Sequence, residues 1–276
     1  MSAGLGIAAG FFTSAAAGIL GALLIPPFQE LRRFFFALNA GIAFAFLCLA
    51  APLRPSLRSA LRAWEADSGG AVALVVTLAA ALAPVLVIIY IGALYRRDGG
   101  RARGILMIAT AAALTATAAD GWQAGREAGA GWIFCADALA AAGLLGSVIV
   151  AMILGHWYLV RWRLPAGHLV RFSVIMAGAI GLRALLCLLG LLVVGARSPV
   201  GLAAYLADVT VRRGFFFWSR VFFGLLAPAT FAYMVHETAR IRSTQSATGI
   251  LYVTVISVVI GEFLARFLTV AGAGPM

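Results

Sequence analysis

The sequence contains no lysine, and only 11% of its 276 residues are charged. A soluble domain carries roughly a quarter charged residues, so this chain lacks the ionic side chains needed to cover a water-facing surface. The low hydrophobicity that intrinsic disorder requires is missing too. Instead, 63% of the residues are hydrophobic and the mean hydropathy is +1.02. The three cysteines (Cys48, Cys135, Cys187) lie inside apolar runs with no CxxC spacing. That excludes a disulfide framework or a zinc site and leaves them as small core residues. No phosphate-cradling glycine loop, GxSxG, HExxH or DxD-type run is present, so a self-contained ATPase or hydrolase of those kinds is excluded.

What the chain does have is long apolar runs. A membrane-spanning helix needs about 20 apolar residues. Runs bounded by charges or by Pro and Gly give eight, at 3–25, 33–53, 71–95, 104–119, 132–159, 170–195, 214–236 and 249–271. The expected fold is an all-α, polytopic integral membrane protein in a lipid bilayer, read as a single membrane domain over 1–276. The first apolar run follows no basic n-region and is expected to be retained as a span. The fourth run is the shortest.

The net charge of +11 does not describe a nucleic-acid-binding face. All 21 basic residues are Arg, and they sit singly or in short clusters between apolar runs, as membrane-flanking arginines do. The connections after the first, third, fifth and seventh spans carry eleven (Arg32, Arg33, Arg96, Arg97, Arg101, Arg103, Arg161, Arg163, Arg171, Arg240, Arg242). The other side carries seven (Arg54, Arg58, Arg62, Arg126, Arg197, Arg212, Arg213). The positive-inside rule then places both termini outside, and in a bacterium the membrane is the inner one. In RPSLRSALRAWEAD, Leu57, Leu61 and Trp64 recur at helical spacing with Arg54, Arg58 and Arg62 elsewhere on the turn, which predicts a short interfacial helix. GLAAYLADVTVRRG has a similar, weaker character.

Charges inside a bilayer cost several kcal/mol unless paired or hydrated. The first four spans have none away from their ends, whereas the last four contain Asp137, Arg183, Arg220, Glu262 and Arg266. Residues 1–120 therefore read as a scaffold half and 130–272 as a working half. Arg183 and Glu262 fall at similar depth, and Glu262 and Arg266 share a helix face at i, i+4. Two leading uses remain open for this group, a salt-bridge network that holds the bundle or a polar pocket that binds a quinone headgroup or relays protons, with a substrate-ion pathway as the third. In either, Glu262 is the first-choice partner of Arg183.

Two histidines form a second group. His156 ends the fifth span in GHWYLVRW and His236 ends the seventh in YMVHETARIRSTQSATG. Both spans run in one direction, so both imidazoles fall on the same side of the membrane. A pair of neutral imidazoles at one depth suits two axial ligands of a b-type haem. It equally suits quinone contact, or an aromatic belt at the interface. A mononuclear metal site lacks its third ligand. His168, in a short connection, is expected to be solvated. Arg240, Arg242 and Gln245, in the most polar stretch of the chain, are candidates for contact with a partner protein or lipid phosphates. Ser246 or Thr248 is expected to cap the last span.

Two segments carry a family likeness. RVFFGLLAPATFAY in the seventh span, followed by ISVVIGEFLARFLTVAG in the eighth, resembles the last helices of the membrane-anchor subunits of molybdopterin oxidoreductases, the NrfD, polysulfide-reductase and dimethyl-sulfoxide-reductase anchors. GFFTSAAAGILGAL is loosely similar to that family's opening helix. The resemblance implies a subunit with no catalysis of its own, which binds quinol between helices and passes electrons to an iron–sulfur partner. Glu262, Arg266 and Arg220 fall on matching positions. The expected function is accordingly a quinone-binding electron-transfer anchor. A cytochrome b-type haem subunit and a multi-pass transporter or channel are the alternatives.

Overall fold

A computed structural model describes residues 3–28, 30–54, 60–62, 70–96, 99–126, 128–160 and 167–272. Eight helices among them are long and apolar enough to cross a membrane, and no strand is present among the described residues. The chain is an all-α, multi-pass membrane protein. Of the predicted interfacial helix, only Arg54 and residues 60–62 are described. Leu57, Arg58 and Trp64, like Arg97, Arg161 and Arg163, lie outside the described residues.

The spans follow the apolar runs closely. They are α1 (Ala3–Ala22), α2 (Arg33–Ala50, extended by a 3-10 turn Ala51–Leu53), α3 (Gly70–Tyr95), α4 (Gly99–Gly125), α5 (Gly131–Val160) and α6 (Gly167–Arg197). A short helix α7 (Leu202–Ala207) leads through a π turn, Asp208–Arg212, into the seventh span. That span is α8 (Gly214–Val221), a second π turn (Phe222–Leu226) and α9 (Ala227–Arg240); α10 (Thr244–Val270) is the eighth. Only α4 departs much from expectation. It starts at Gly99 and reaches Gly125, because Arg101, Arg103 and Asp120 lie within helical backbone beyond the apolar core of the run. Ser246 and Thr248 do not cap α10. Ser243 occupies the N-cap, and the Thr248 hydroxyl donates back to the Thr244 carbonyl inside the helix.

The chain divides into two compact units, Met1–Asp120 and Gly121–Met276. In the first, α2 packs on both α1 and α3. At one end of this unit Arg54 forms a two-pronged pair with Asp120 (Nη1–Oδ1 3.0 Å, Nη2–Oδ2 2.5 Å), and its Nη2 also donates to the Thr13 hydroxyl at 2.8 Å. A charged pair was not expected in the scaffold half; the longer α4 brings Asp120 within reach.

In the second unit four spans form a ring: α5 packs on α6 and α10, and α9 packs on the same two. Small residues set the closest approaches, as is usual where lipid gives helices no hydrophobic reason to associate. A Cβ on Gly155 of α5 would lie 2.8 Å from the Thr248 hydroxyl of α10. A Cβ on Gly261 of α10 would overlap the backbone of Gly224 in the π turn. The outward faces carry large exposed apolar side chains, among them Leu185, Tyr233 and Ile256. Such surface suits lipid tails and would be a liability in water.

The π turn at Phe222–Leu226 has a cause in the sequence. Pro228 has no N–H to donate to the Gly224 carbonyl, and its ring crowds the preceding turn. The ladder widens one turn upstream, where the Ala227 N–H reaches the Phe222 carbonyl five residues back. The carbonyl of Phe223 then accepts from the Ser257 hydroxyl of α10 at 2.8 Å.

Candidate functional site

Four of the five intramembrane charges form one hydrogen-bonded chain. Arg183, near the middle of α6, donates through Nε to Asp137 Oδ1 at 3.1 Å and through Nη2 to Asp137 Oδ2 at 3.3 Å. Its Nη1 donates to Glu262 Oε2. The other Glu262 oxygen accepts from Arg266 Nε at 2.9 Å, one turn along α10. Arg183 and Glu262 are each 2% exposed. Asp137 and Arg266 keep a little surface. Three helices of the ring are thus tied by charge-assisted bonds, the strongest class available in an apolar interior.

Arg220 is different. It sits in the last turn of α8, is 0% exposed, and none of its three side-chain nitrogens has a hydrogen-bond partner among the described residues. The charges of Arg183, Asp137 and Glu262 all act on it, so it belongs to the same cluster. A glycine makes its position possible. The guanidinium lies over Gly224, where a Cβ would overlap Nη1. Gly224 in turn is pressed by Gly261, the residue before Glu262. The sequence pattern G-x-x-x-P, which places Gly224 four residues after Arg220 and four before Pro228, was the signal for this arrangement. Cys187 is buried beside the cluster and packs with Leu191, Tyr205, Phe217 and Leu268.

The two histidines do not share a partner. His156 is exposed and lies 3.5 Å (Nδ1) from the hydroxyl of Tyr252, across the α5–α10 contact. His236 is half-buried, with Nδ1 3.0 Å from the Ser173 hydroxyl, across the α6–α9 contact. Those contacts are opposite edges of the four-helix ring. The Ser173 hydroxyl also lies 2.7 Å from the Val170 carbonyl one turn back. Among the described residues, no group of three or more His, Cys, Asp or Glu is placed to hold a metal ion. His168 is a correction: it is 4% exposed at the start of α6. The helix begins at Gly167, ahead of the expected position, and draws the imidazole inside.

Arg240, Arg242 and Gln245 are all exposed at the α9–α10 hairpin. The hairpin is a Schellman turn: the Ser243 N–H reaches the Thr238 carbonyl and the Arg242 N–H the Ala239 carbonyl. Arg242 takes the left-handed position, φ 59°, where glycine is usual. At the opposite end of this unit, Asp208 pairs with Arg212 and Arg213, and Arg213 also donates to the carbonyl of Ala271. Burial pushes the nearby Tyr205 phenol up to about 12, against the opposing pull of Arg213. A cleft of about 490 Å³ opens there, lined in part by Arg197, Ser198 and Tyr205; it includes none of the expected site residues.

No protein-family model, no curated protein and no solved structure matches this chain. The class of protein therefore rests on its helices, and its role on the buried cluster.

Proposed function

We propose that the chain is a membrane-integral electron-transfer subunit that binds a quinone or quinol in its second unit and anchors a redox partner. The observation that carries this reading is Arg220. A buried guanidinium without an acceptor costs several kcal/mol, and a ligand oxygen that accepts from it removes that cost. Quinones supply such oxygens on an apolar ring that reaches the site from the bilayer. Asp137 and Glu262 are the proton acceptors beside it, held in place by Arg183 and Arg266. The likeness of the seventh and eighth spans to the anchor subunits of molybdopterin oxidoreductases points the same way. A b-type haem is the weaker alternative, because His156 and His236 engage different helix pairs. The exposed Arg240, Arg242 and Gln245 supply the contact with an iron–sulfur or cytochrome partner, or with lipid phosphates. In this scheme the protein lies in a bacterial inner membrane with both termini outside.

The test is a reduced-minus-oxidised spectrum of the purified protein, with solvent extraction of bound quinone. The expected result is a colourless protein that carries quinone, or takes up added short-chain quinone, and loses it in Arg220→Leu. Haem bands would establish the cytochrome alternative. A protein that neither retains nor binds quinone, yet supports solute flux in vesicles without redox change, would be a transporter or channel.

A further inference from the structure

The cleft of about 490 Å³ at the Asp208 end of the second unit has a polar rim and an apolar wall. It is framed where three spans reach one membrane face: the turn before α5, the end of α6, and Gly272 just beyond α10. Each segment is closed by its own backbone bonds. The Gly129 N–H reaches the Arg126 carbonyl and the Ala130 N–H the Gly125 carbonyl, both at 3.0 Å. The Ser198 N–H reaches the Gly195 carbonyl at 3.2 Å, and the Gly272 N–H the Thr269 carbonyl at 3.1 Å. Gly195 makes room for the wall, because a Cβ there would lie 2.7 Å from the Tyr205 ring. Arg197 is the cation of this cleft. Its Nη1 donates to the Gly129 carbonyl, which ties the guanidinium from the end of α6 to the turn before α5. Gly129 takes φ 62°, and a Cβ on it would lie 3.2 Å from that nitrogen. Nε and Nη2, the other edge of the fork, bond to nothing among the described residues, and neither does the Ser198 hydroxyl, next in the chain.

We propose that this cleft holds the phosphate of an anionic phospholipid, with Arg197 as its anchor and the Ser198 hydroxyl as a further donor. The site is separate from the Arg220 cluster and does not rest on the quinone reading. Two parallel N–H groups on one edge of a guanidinium match two oxygens of a phosphate. A cleft of this volume is of small-molecule size, with room for the glycerol beside the phosphate. Val194, on its wall, stands three residues before Arg197 on α6, about 4.5 Å deeper into the bilayer by helical rise. The polar rim therefore falls at headgroup level and the apolar wall where the chains begin. No acidic residue lines the cleft among the described residues, and the nearby Asp208 is already paired with Arg212 and Arg213. Nothing there receives the ammonium of a zwitterionic headgroup, so a net-anionic lipid is preferred.

Three probes separate headgroup, lipid and free ion: dihexanoyl-phosphatidylglycerol, dihexanoyl-phosphatidylcholine and inorganic phosphate. Each is titrated into the purified full-length protein in a non-ionic detergent, and the readout is the rise of the thermal unfolding midpoint with ligand. Phosphatidylglycerol should raise the midpoint saturably, at a half-saturating concentration about tenfold or more below that of the other two. Arg197→Gln should raise that concentration by about tenfold or more, and Arg197→Lys, which keeps the charge and loses the fork, should fall between. Arg212→Gln removes an interfacial arginine outside the cleft and should change it by no more than about twofold. Half-saturation is read against each variant's own unliganded midpoint, so a general loss of stability does not imitate lost binding. A midpoint indifferent to phosphatidylglycerol, equal half-saturation for the two lipids, or equal effects of Arg197→Gln and Arg212→Gln would overturn the proposal. Inorganic phosphate binding as tightly as the lipid would overturn the lipid as the source of the phosphate.

Discussion

Arg183 and Arg220 are both buried arginines in neighbouring spans, yet replacement with leucine should destabilise the protein strongly at Arg183 and not at Arg220. Either substitution removes one positive charge and leaves the cluster of Asp137, Glu262 and the two remaining arginines neutral. Net charge therefore cannot explain a difference between them; only the bonding can. Arg183→Leu takes both hydrogen bonds from Asp137 and one from Glu262, which keeps Arg266. Removing one partner of a buried pair costs about 3–5 kcal/mol. With two carboxylates affected, the loss should fall in the upper part of that range, about a thousandfold in the unfolding equilibrium. Arg220→Leu orphans nothing, since no acceptor among the described residues bonds to it. It replaces an uncompensated cation with an apolar side chain, a change that is neutral or stabilising by about 1–4 kcal/mol in comparable buried sites. The measurement is reversible unfolding in mixed micelles titrated with sodium dodecyl sulfate, on protein first stripped of quinone so that lost ligand binding does not enter. A companion cycle of Arg183→Leu, Glu262→Leu and the double variant should give a double loss smaller than the sum, because the two are bonded. If Arg220→Leu destabilises as much as Arg183→Leu, Arg220 has an acceptor in the resting protein and the reasoning fails.

Four further outcomes are expected. Gly261→Ala should cost about 1–3 kcal/mol in the same assay, because its methyl would meet the Gly224 backbone; an unchanged unfolding midpoint would mean that the crossing is looser than described. Arg242→Gly should stabilise the hairpin by up to about 1 kcal/mol by relieving the left-handed strain, and destabilisation would show that the Arg242 side chain makes a stabilising contact of its own. Reporter fusions at Gly99 and at Gly274, which lies outside the described residues, should report opposite sides, with Gly99 cytoplasmic; the reverse result would invert the orientation argued from the arginine counts. Finally, His156→Ala and His236→Ala should each leave a colourless, folded protein, whereas loss of an absorbing haem band in both would reinstate two axial ligands on one iron.

The number and limits of the spans were legible in the sequence because a bilayer imposes a single length on every apolar run, and that length needs no knowledge of neighbours. The pairing of Arg183 with Glu262, and of Glu262 with Arg266, was legible for a related reason. Unpaired charges at depth are costly, so few partners remain once depth is estimated from position along each helix. The Arg54–Asp120 pair escaped because Asp120 stands at the edge of the shortest run and Arg54 in a connection expected to lie at the interface, so neither depth pointed to a partner. His168 escaped likewise, since the helix starts at Gly167 and not at residue 170, which puts the imidazole in the first helical turn and not in a connection.

What the sequence by itself determined is the class of the protein and the set of residues that must not face lipid. Hydrophobic length and the cost of buried charge are local quantities, set by the order of residues alone. Which arginine is left without an acceptor was decided only in three dimensions. Arg183, Arg220 and Arg266 compete for two carboxylates, and no spacing rule ranks them. Arg183 reaches both acids because α6 packs on α5 and the ring closes through α10. Arg220 lies over Gly224 at a π turn and a glycine–glycine crossing, with none of its nitrogens bonded among the described residues.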